Sequence, residues 1–485
     1  MNLLIQGHSF RYEMERLTMM FFPMEKIHWF VDSAPAGEPY VLTRLEQQED
    51  HIRITAGLVD GVHQTDSIVL KPEEGEQCEL AMGRLLYRAL CRDTGIVPPW
   101  GILTGIRPVK LLRDIYAGVE SRAAAEEQFA ADYLVTPGKV ELARRTEGYE
   151  RAILEQNKPM DFSLYVSIPF CPTRCHYCSF VSHGIQQARK LMPQYLQTLE
   201  RELMDTAVIA KELGLRLTTV YFGGGTPTTL SSAELDLLMG WVEQYFDLSH
   251  LQEYTVEAGR PDTITREKLQ VIRDHGAGRI SVNPQTFNDQ VLKNIGRGHT
   301  VQQFLESYQI AREMDFDCIN IDLIAGLPGD DMESFCRSID SAVALAPENI
   351  TLHTLSIKRA AGLGSQDASS LQREYHMAVD MVDYGYRAFD KAGYHPYYLY
   401  RQRNTAGNLE NTGFAKEGKD GRYNVYIMAE TQTILAVGAG AVTKAVHPVS
   451  GEVFRVYNHK YPYEYISRYQ ELQKRKDQLY TFFEQ

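Results

Sequence analysis

Alternating apolar and polar positions run through the first 71 residues, as in HIRITAGLV and TDSIVLK. A period of two is typical of strands with one buried face, so this region predicts a small sheet. From Cys78 to about Gln156 the pattern becomes helical, because CELAMGRLLYRALCRDTG ends in a glycine and SRAAAEEQFAADYL is rich in Ala and Glu. We therefore predict an N-terminal α+β extension over residues 1–156.

Six apolar segments follow, and a helical segment succeeds each of them. They are SLYVSIPF, TTVYFGG, EYTVEAG, RISVNPQ, CINIDLIAG and NITLHTLSI. Strands that alternate with helices are typical of a parallel sheet covered by helices on its outer face. The pattern therefore predicts an α/β fold with a partial (β/α)6 barrel over residues 160–358. A helical run, an aromatic run and a small-residue run then predict a mixed C-terminal domain over residues 359–485.

Composition and charge limit the possible partners. The chain has 44% hydrophobic and 23% charged residues, as globular proteins do, and no window of eighteen apolar residues, so we expect no membrane span. Its N-terminus has no basic leader and predicts no secretory signal. The net charge of −13 argues against nucleic acid as a partner. Seven cysteines, an odd number, argue against a disulfide framework and predict a reducing, cytoplasmic location.

Three of these cysteines, Cys171, Cys175 and Cys178, form a C-x3-C-x2-C run directly after the first barrel strand. Thiolates favour iron-sulfur chemistry, and three of them leave one iron of a four-iron cluster open to a small molecule. The alternative is a structural zinc site with His176 or His183 as a further ligand, although zinc sites normally pair C-x2-C units. The other cysteines occur singly in apolar runs and are expected to be core thiols; they are Cys78, Cys91, Cys318 and Cys336.

Further candidate residues follow the ends of the predicted strands, where catalytic residues of such barrels gather. The run Gly223–Thr226 follows the second strand, Glu257 ends the third, and Gln285 follows the fourth. Consecutive glycines let the backbone approach a ligand and offer amide N–H groups to a carboxylate, although a tight turn would also use them. Glu257 and Asp322 could accept hydrogen bonds from ribose hydroxyls or an ammonium group, or form strand-end salt bridges. Arg297 could face a carboxylate or be a surface charge.

Six motifs in order resemble the radical S-adenosylmethionine (SAM) family of oxygen-independent coproporphyrinogen III oxidases, also called coproporphyrinogen dehydrogenases. They are YVSIPFC, YFGGGTPT, EYTVEAG, RISVNPQTFND, LKNIGRGHT and INIDLIAGLPGD, and the resemblance covers about residues 160–445. The N-terminal extension and the run YLYRQRNTAGNLENTG resemble the HemZ-like branch in particular.

The resemblance implies two cofactors, a [4Fe-4S] cluster held by the three catalytic cysteines and SAM bound at the open iron. Nine positions are implied to surround SAM: Tyr165, Tyr177, Gly224, Gly225, Thr226, Glu257, Gln285, Arg297 and Asp322. Ser356 and Val442 are further candidates for its adenosine end.

The reaction that the resemblance implies is the oxidative decarboxylation of coproporphyrinogen III to protoporphyrinogen IX in porphyrin and heme biosynthesis. The reduced cluster cleaves SAM, and the resulting 5′-deoxyadenosyl radical takes a hydrogen atom from the β-carbon of a propionate. Loss of carbon dioxide and one electron then leaves a vinyl group. The implied partners are a tetrapyrrole substrate and a small electron-transfer protein as reductant.

The C-terminal region offers candidate substrate contacts. Cations could pair with the propionates or be plain surface charges, and tyrosines could stack on the macrocycle or pack in the core or at the surface. The cations are Lys358, Arg359, Arg401 and Arg403, and the tyrosines are Tyr394, Tyr397, Tyr398 and Tyr400.

Two other functions remain open at this point. Ser179 and Phe180 follow the last cluster cysteine, where the oxidase branch carries another cysteine that the HemW-like heme chaperones lack. Against a chaperone, no H-N-x-x-Y-W run precedes the GAGA segment that begins at Gly438. The alternatives are thus a heme-binding chaperone or another radical SAM enzyme that acts on heme.

Overall fold

The computed structural model describes residues 1–23, 25–178, 183–356, 368–402 and 405–484. Ser179, Phe180, Lys358, Arg359 and Arg403 lie outside these ranges, and so does the predicted boundary between 358 and 359. The chain forms two compact units. The first comprises Met1–Glu147, Thr354–Val379 and Leu399–Asn411, and the second comprises Gly148–His353, Asp380–Tyr398 and Thr412–Gln485. The division into 1–156, 160–358 and 359–485 stays a prediction.

A five-stranded sheet with helices packed on it forms most of the first unit, as the alternating pattern predicts. Its strands follow the order β2-β1-β3-β4-β5, with β1 parallel to β2 and β3 and the remaining pairs antiparallel. The second helix ends at Gly95, whose φ of 69° is the left-handed conformation that glycine favours at this position. The elements are β1 (Asn2–Gln6), α1 (Arg11–Phe21), β2 (His28–Phe30), β3 (Tyr40–Gln47), β4 (Ile52–Val59), β5 (Asp66–Leu70), α2 (Cys78–Thr94), α3 (Pro108–Gly118), α4 (Arg122–Tyr133) and α5 (Pro137–Leu154).

The rest of the chain alternates strands with helices and ends in short helices. Its elements are β6 (Asp161–Ile168), β7 (Phe170–Cys171), β8 (His183–Gly184), α6 (Ile185–Ala188), α7 (Met192–Glu212), β9 (Arg216–Gly224), α8 (Ser232–Tyr245), β10 (Glu253–Glu257), α9 (Arg266–Asp274), β11 (Arg279–Ser281), α10 (Asp289–Asn294), α11 (Val301–Glu313), β12 (Cys318–Ala325), α12 (Met332–Leu345), β13 (Asn349–Thr354), α13 (Ala368–Lys391), β14 (His395–Arg401), β15 (Glu410–Ala415), α14 (Arg422–Ala429), β16 (Thr433–Val437), β17 (Val442–Val446), β18 (Val453–Tyr457), α15 (Pro462–Ser467), α16 (Tyr469–Lys476) and α17 (Gln478–Phe483).

The six predicted barrel strands are neighbours in one sheet of eleven strands. Its order is β14-β15-β13-β12-β11-β10-β9-β6-β16-β17-β18, so β6 and β9 to β13 follow one another in chain order. The pairs from β6 to β12 are parallel. Several of the helices between them begin with a side-chain cap, such as Ser231, which accepts from the backbone N–H of Glu234. The predicted α/β fold with a partial (β/α)6 barrel is therefore confirmed.

Apolar and polar residues alternate along the first barrel strand. In β6, Phe162, Leu164, Val166 and Ile168 are buried on one face, and serines and Tyr165 alternate with them. The polar side chains hydrogen-bond from strand to strand, as Thr219 Oγ1 donates to Ser163 Oγ over 2.6 Å. The apolar face is available to the helices, and the polar face forms the interior that carries the site.

Core packing accounts for most of the C-terminal tyrosines. Tyr394, Tyr397 and Tyr398 are buried, and the hydroxyl of Tyr394 donates to Pro347 O over 2.6 Å. Among the described residues, no helix is long and apolar enough to cross a membrane.

Arg401 is buried too, within the first unit. Its Nη atoms donate to the backbone carbonyls of Leu103 and Asn408. The expectation that Arg401 pairs with a propionate is therefore corrected, because its guanidinium holds two loops of its own chain together.

Candidate functional site

Backbone contacts hold the cysteine loop on two sides. Phe170 and Cys171 pair with His183 and Gly184, next to the end of β6. On the other side, the His176 backbone N–H donates to Ile295 O over 3.0 Å, and its Nδ1 lies 3.0 Å from Asn294 O. That ring nitrogen is thus engaged in docking the loop.

The thiols of the loop have polar neighbours. Cys175 is buried and accepts a hydrogen bond from Arg260 Nη1 over 3.5 Å. The Cys171 sulfur lies 3.4 Å from Thr226 Oγ1. Cys171 and Cys178 are half-buried, and no disulfide forms among the cysteines of the described residues. The loop therefore presents three thiols that are not in disulfides, of which at least one is next to a buried cation.

The glycine run brings the end of β9 against the end of β6. The Gly225 N–H donates to Ile168 O over 2.7 Å, and the Thr226 N–H donates to Phe170 O over 2.8 Å. A Cβ at Gly225 would lie 2.6 Å from Phe170 O, which is closer than real side chains approach. The expectation that these two amides bind a carboxylate is therefore corrected, since both are used within the chain. Gly224, with φ of 103°, is likewise confined by Ser167 Oγ, 2.9 Å from its ideal Cβ.

Two carboxylates belong to the barrel strands, Glu257 at the end of β10 and Asp322 within β12. Glu257 accepts a hydrogen bond of 2.6 Å from the hydroxyl of Tyr221, and burial is the main reason that its pKa rises to about 7. The neighbouring charge of Asp322 raises that pKa further. Asp322 accepts hydrogen bonds of 2.7 Å from both Asn283 and Asn320. These carboxylates differ in charge near neutral pH, so they are suited to different roles.

His353 on the next strand explains the difference. Its Nε2 lies 3.7 Å from Asp322 Oδ2. Burial would raise the pKa of Asp322, but the hydrogen bond and charge of His353, together with hydrogen bonds from Asn320 and Thr351, outweigh it, and the pKa lies below its ordinary value. Asp322 is thus the ionised member of the pair at neutral pH.

Three tyrosine rings lie beside Glu257. Tyr165 and Tyr221 are register partners on β6 and β9, and Tyr423 from α14 stacks on Tyr221 with centroids 4.3 Å apart. Burial raises the pKa of all three phenols well above the ordinary value, with the charge of Glu257 as a further cause. They are neutral hydrogen-bond donors and flat surfaces on which a planar ligand could stack.

The remaining candidates lie near the cysteine loop or the fourth strand. Burial raises the pKa of Tyr177, and the adjacent guanidinium of Arg297 opposes that rise. Arg297 also donates from Nη1 to Gly259 O over 3.4 Å. Gln285 has the left-handed φ of 68° and exchanges backbone hydrogen bonds with Asp322 and Ile324. Such a conformation in a non-glycine residue persists only where its surroundings fix it.

Ser356 and Val442 belong to different units. Ser356 forms an isolated bridge with Thr405, and Val442 begins β17. Neither observation assigns them a ligand.

Sequence reasoning missed several interior residues, although one signal was available. Asn320, Thr351 and His353 occupy alternate positions within CINID and NITLHT, on the same faces as Asp322. Both segments are apolar enough to predict strands, and a period of two places their polar positions on one face. Arg260 had no such signal, because it follows a strand inside a turn-like AGRPD segment.

Among the residues that the structure describes, no three or more His, Cys, Asp or Glu side chains are arranged to hold a single metal ion. The fit of the loop to an iron-sulfur cluster rests instead on its donors, three thiols with a buried guanidinium beside one of them.

Comparisons with known proteins identify the family. The radical SAM superfamily pattern matches residues 165–342. The chain is 36% identical over 435 residues to the oxygen-independent coproporphyrinogen-III oxidase-like protein HemZ of Bacillus subtilis, covering 88% of this chain and 87% of the relative. It is 33% identical over 283 residues to the heme chaperone HemW of the same species, covering 58% and 70%.

A solved structure shows the same fold. Coproporphyrinogen III oxidase (HemN) from Escherichia coli, a radical SAM enzyme, superposes with a TM-score of 0.51 and 25% identity, covering 67% of this chain and 73% of that one. The expected cofactors, a [4Fe-4S] cluster and SAM, are those of this family. The chain therefore belongs to the radical SAM family of oxygen-independent coproporphyrinogen III oxidase-like proteins, in its HemZ-like branch.

Proposed function

We propose that this protein is an oxidoreductase that converts coproporphyrinogen III to protoporphyrinogen IX without oxygen. The observation that carries the proposal is the similarity to HemZ, which extends over 88% of the chain and so includes the N-terminal region as well as the barrel. The fold shared with HemN supports the same reaction class.

The chemistry that the bound cluster and SAM supply is the one-electron cleavage of SAM to an organic radical. Cys171, Cys175 and Cys178 hold the cluster in this proposal. The ionised Asp322 and the titrating Glu257 bind the hydroxyl and cationic groups of SAM. The stacked tyrosines, with their uncharged phenols, exclude water from the radical and orient flat groups.

Anaerobic turnover tests the proposal. Reconstituted protein is supplied with SAM, coproporphyrinogen III, a reductant and an electron acceptor, and the porphyrins and nucleosides are separated by chromatography. We expect a tricarboxylic intermediate, then protoporphyrinogen IX, with 5′-deoxyadenosine in proportion. Cys175→Ala should abolish the cluster and turnover. Cys318→Ala is the matched control, because that thiol is a buried core residue whose sulfur donates to Asn349 Oδ1 over 2.7 Å.

A heme chaperone is the second candidate, and the similarity to HemW favours it. The same preparation distinguishes the two functions. Stoichiometric, stable heme binding together with coproporphyrinogen III that is recovered unchanged would replace the oxidase by the chaperone. The proposal also includes a small electron-transfer protein as reductant, a tetrapyrrole as substrate and a cytoplasmic location. The location is proposed because the described cysteines form no disulfide.

A further inference from the structure

One buried arginine connects the end of the third barrel strand to the cysteine loop. Arg260 follows β10, and its side chain is only 4% exposed. A guanidinium at this depth needs a partner for each of its five N–H groups, because each unpaired donor would carry the cost of lost hydration.

All five donors are used, and they divide among three residues. Nε and one N–H of Nη2 bind the Asp262 carboxylate, both over 2.9 Å, in the two-pronged geometry that favours arginine. The other N–H of Nη2 binds Thr173 Oγ1 over 3.1 Å. Nη1 binds Thr173 O over 3.3 Å and the Cys175 sulfur over 3.5 Å.

Asp262 thus binds one edge of the guanidinium, and the opposite edge faces the cysteine loop. Thr173 lies between Cys171 and Cys175, so Arg260 contacts the loop at a ligand and at the turn that separates two ligands. Gly298 packs closely against this ion pair, because a Cβ at that position would lie 3.2 Å from Asp262 Oδ2 and 3.5 Å from Arg260 Nη2.

We propose that Arg260 is a positioning residue of the iron-sulfur site, which holds the cysteine loop in shape and raises the reduction potential of the cluster through its hydrogen bond to the Cys175 sulfur. Hydrogen bonds to cluster sulfurs stabilise the reduced, more negative state and so make reduction easier. The inference depends on the cluster and not on the tetrapyrrole.

Lysine cannot replace this side chain. Its ammonium has three donors on one atom, so it cannot bind Asp262 on one edge and reach Cys175 and Thr173 on the other. Arg260→Lys therefore keeps the positive charge but cannot form the hydrogen bonds to both Asp262 and the cysteine loop. The matched control is Arg266→Lys, on α9, whose guanidinium is 59% exposed and pairs with Glu313.

Redox titration of the reconstituted full-length protein, without tetrapyrrole or SAM, tests the inference. The reduced cluster is followed by electron paramagnetic resonance, and iron is counted per chain. In Arg260→Lys we expect the midpoint potential to become more negative, so that the reduced fraction at a fixed low potential falls about tenfold, which is about 59 mV for one electron. Arg266→Lys should match the wild type.

A second variant keeps the test decisive if the lysine variant binds too little iron to titrate. Arg260→Gln removes the positive charge as well as the fork geometry, so it should shift the midpoint potential at least as far in the same direction. Loss of iron in both variants, with unchanged circular dichroism and an intact cluster in Arg266→Lys, supports the positioning role. A full iron content with the wild-type midpoint potential in either Arg260 variant overturns the proposal. Because no substrate is present, failure of the oxidase assignment would not alter these results.

Discussion

The pKa of Glu257 leads to a quantitative prediction for SAM binding. Burial raises this pKa from its ordinary value to about 7, the charge of Asp322 adds to the rise, and the hydrogen bond from Tyr221 opposes it. The carboxyl is therefore neutral below about pH 7 and ionised above it. Glu257→Gln keeps the shape of the side chain and an acceptor for the Tyr221 hydroxyl, but it removes the titration.

The sign and size of the effect follow from the pKa. SAM carries a positive sulfonium group, so the ionised form of Glu257 should bind it more tightly. With a pKa of about 7, roughly a tenth of the protein is ionised at pH 6 and roughly nine tenths at pH 8. The dissociation constant should then be about tenfold larger at pH 6, a difference of about 1.4 kcal/mol. In Glu257→Gln the affinity for SAM should be weak at both pH 6 and pH 8 and should not depend on pH in this range.

The assay is equilibrium binding of SAM between pH 5.5 and 8.5, under anaerobic conditions with the cluster oxidised so that no cleavage occurs. Tyr221→Phe should move the inflection to higher pH, because it removes the hydrogen bond that lowers the pKa of Glu257. Glu243→Gln on α8 is the control, since that carboxylate pairs with His275 on the outer surface. Equal pH dependence in the wild type and Glu257→Gln would refute the reasoning.

Two further predictions concern the framework of the site. Gly225→Val should lose iron as well as SAM binding, measured as iron per chain after reconstitution, because its Cβ would meet Phe170 O at 2.6 Å and displace the cysteine loop. Glu202→Gln should lower the free energy of unfolding in urea by about 3–5 kcal/mol, since it leaves the buried Lys476, 2.7 Å away, without its charge partner. Arg468→Ala, which breaks an exposed pair, should change the same free energy by less than about 1 kcal/mol.

Much of the fold was predictable because its signals are local. The six barrel strands and the helices between them follow from hydrophobic patterning, and Gly95 and Ser231 mark helix ends by the conformations and hydrogen bonds that their residue types favour. The positions of Glu257 at the end of a strand and of Asp322 within a strand follow from the same pattern. What patterning cannot supply is the partner of each side chain, since that depends on contacts between distant segments.

Arg401 and Arg260 illustrate this limit. From the sequence alone, Arg401 was expected to meet a substrate anion, while Arg260 attracted no interpretation. In the structure Arg401 binds carbonyls of Leu103 and Asn408, and Arg260 faces a cluster ligand. A guanidinium carries the same charge whether it binds backbone carbonyls or faces a cluster ligand. Only its burial and its hydrogen-bond acceptors, which the structure shows, distinguish these two roles.

The glycine run indicates a close approach to the backbone, but the sequence does not show which group makes that approach. Three consecutive glycines indicate that something approaches the backbone too closely for a Cβ, but a ligand and a neighbouring strand impose the same requirement. The 2.6 Å between an ideal Cβ at Gly225 and Phe170 O assigns the requirement at this position to the strand. Because Phe170 directly precedes Cys171, the same contact fixes where the cysteine loop begins. The run therefore bears on the cofactors by shaping the loop, and a substitution there should disturb the cluster before it disturbs SAM.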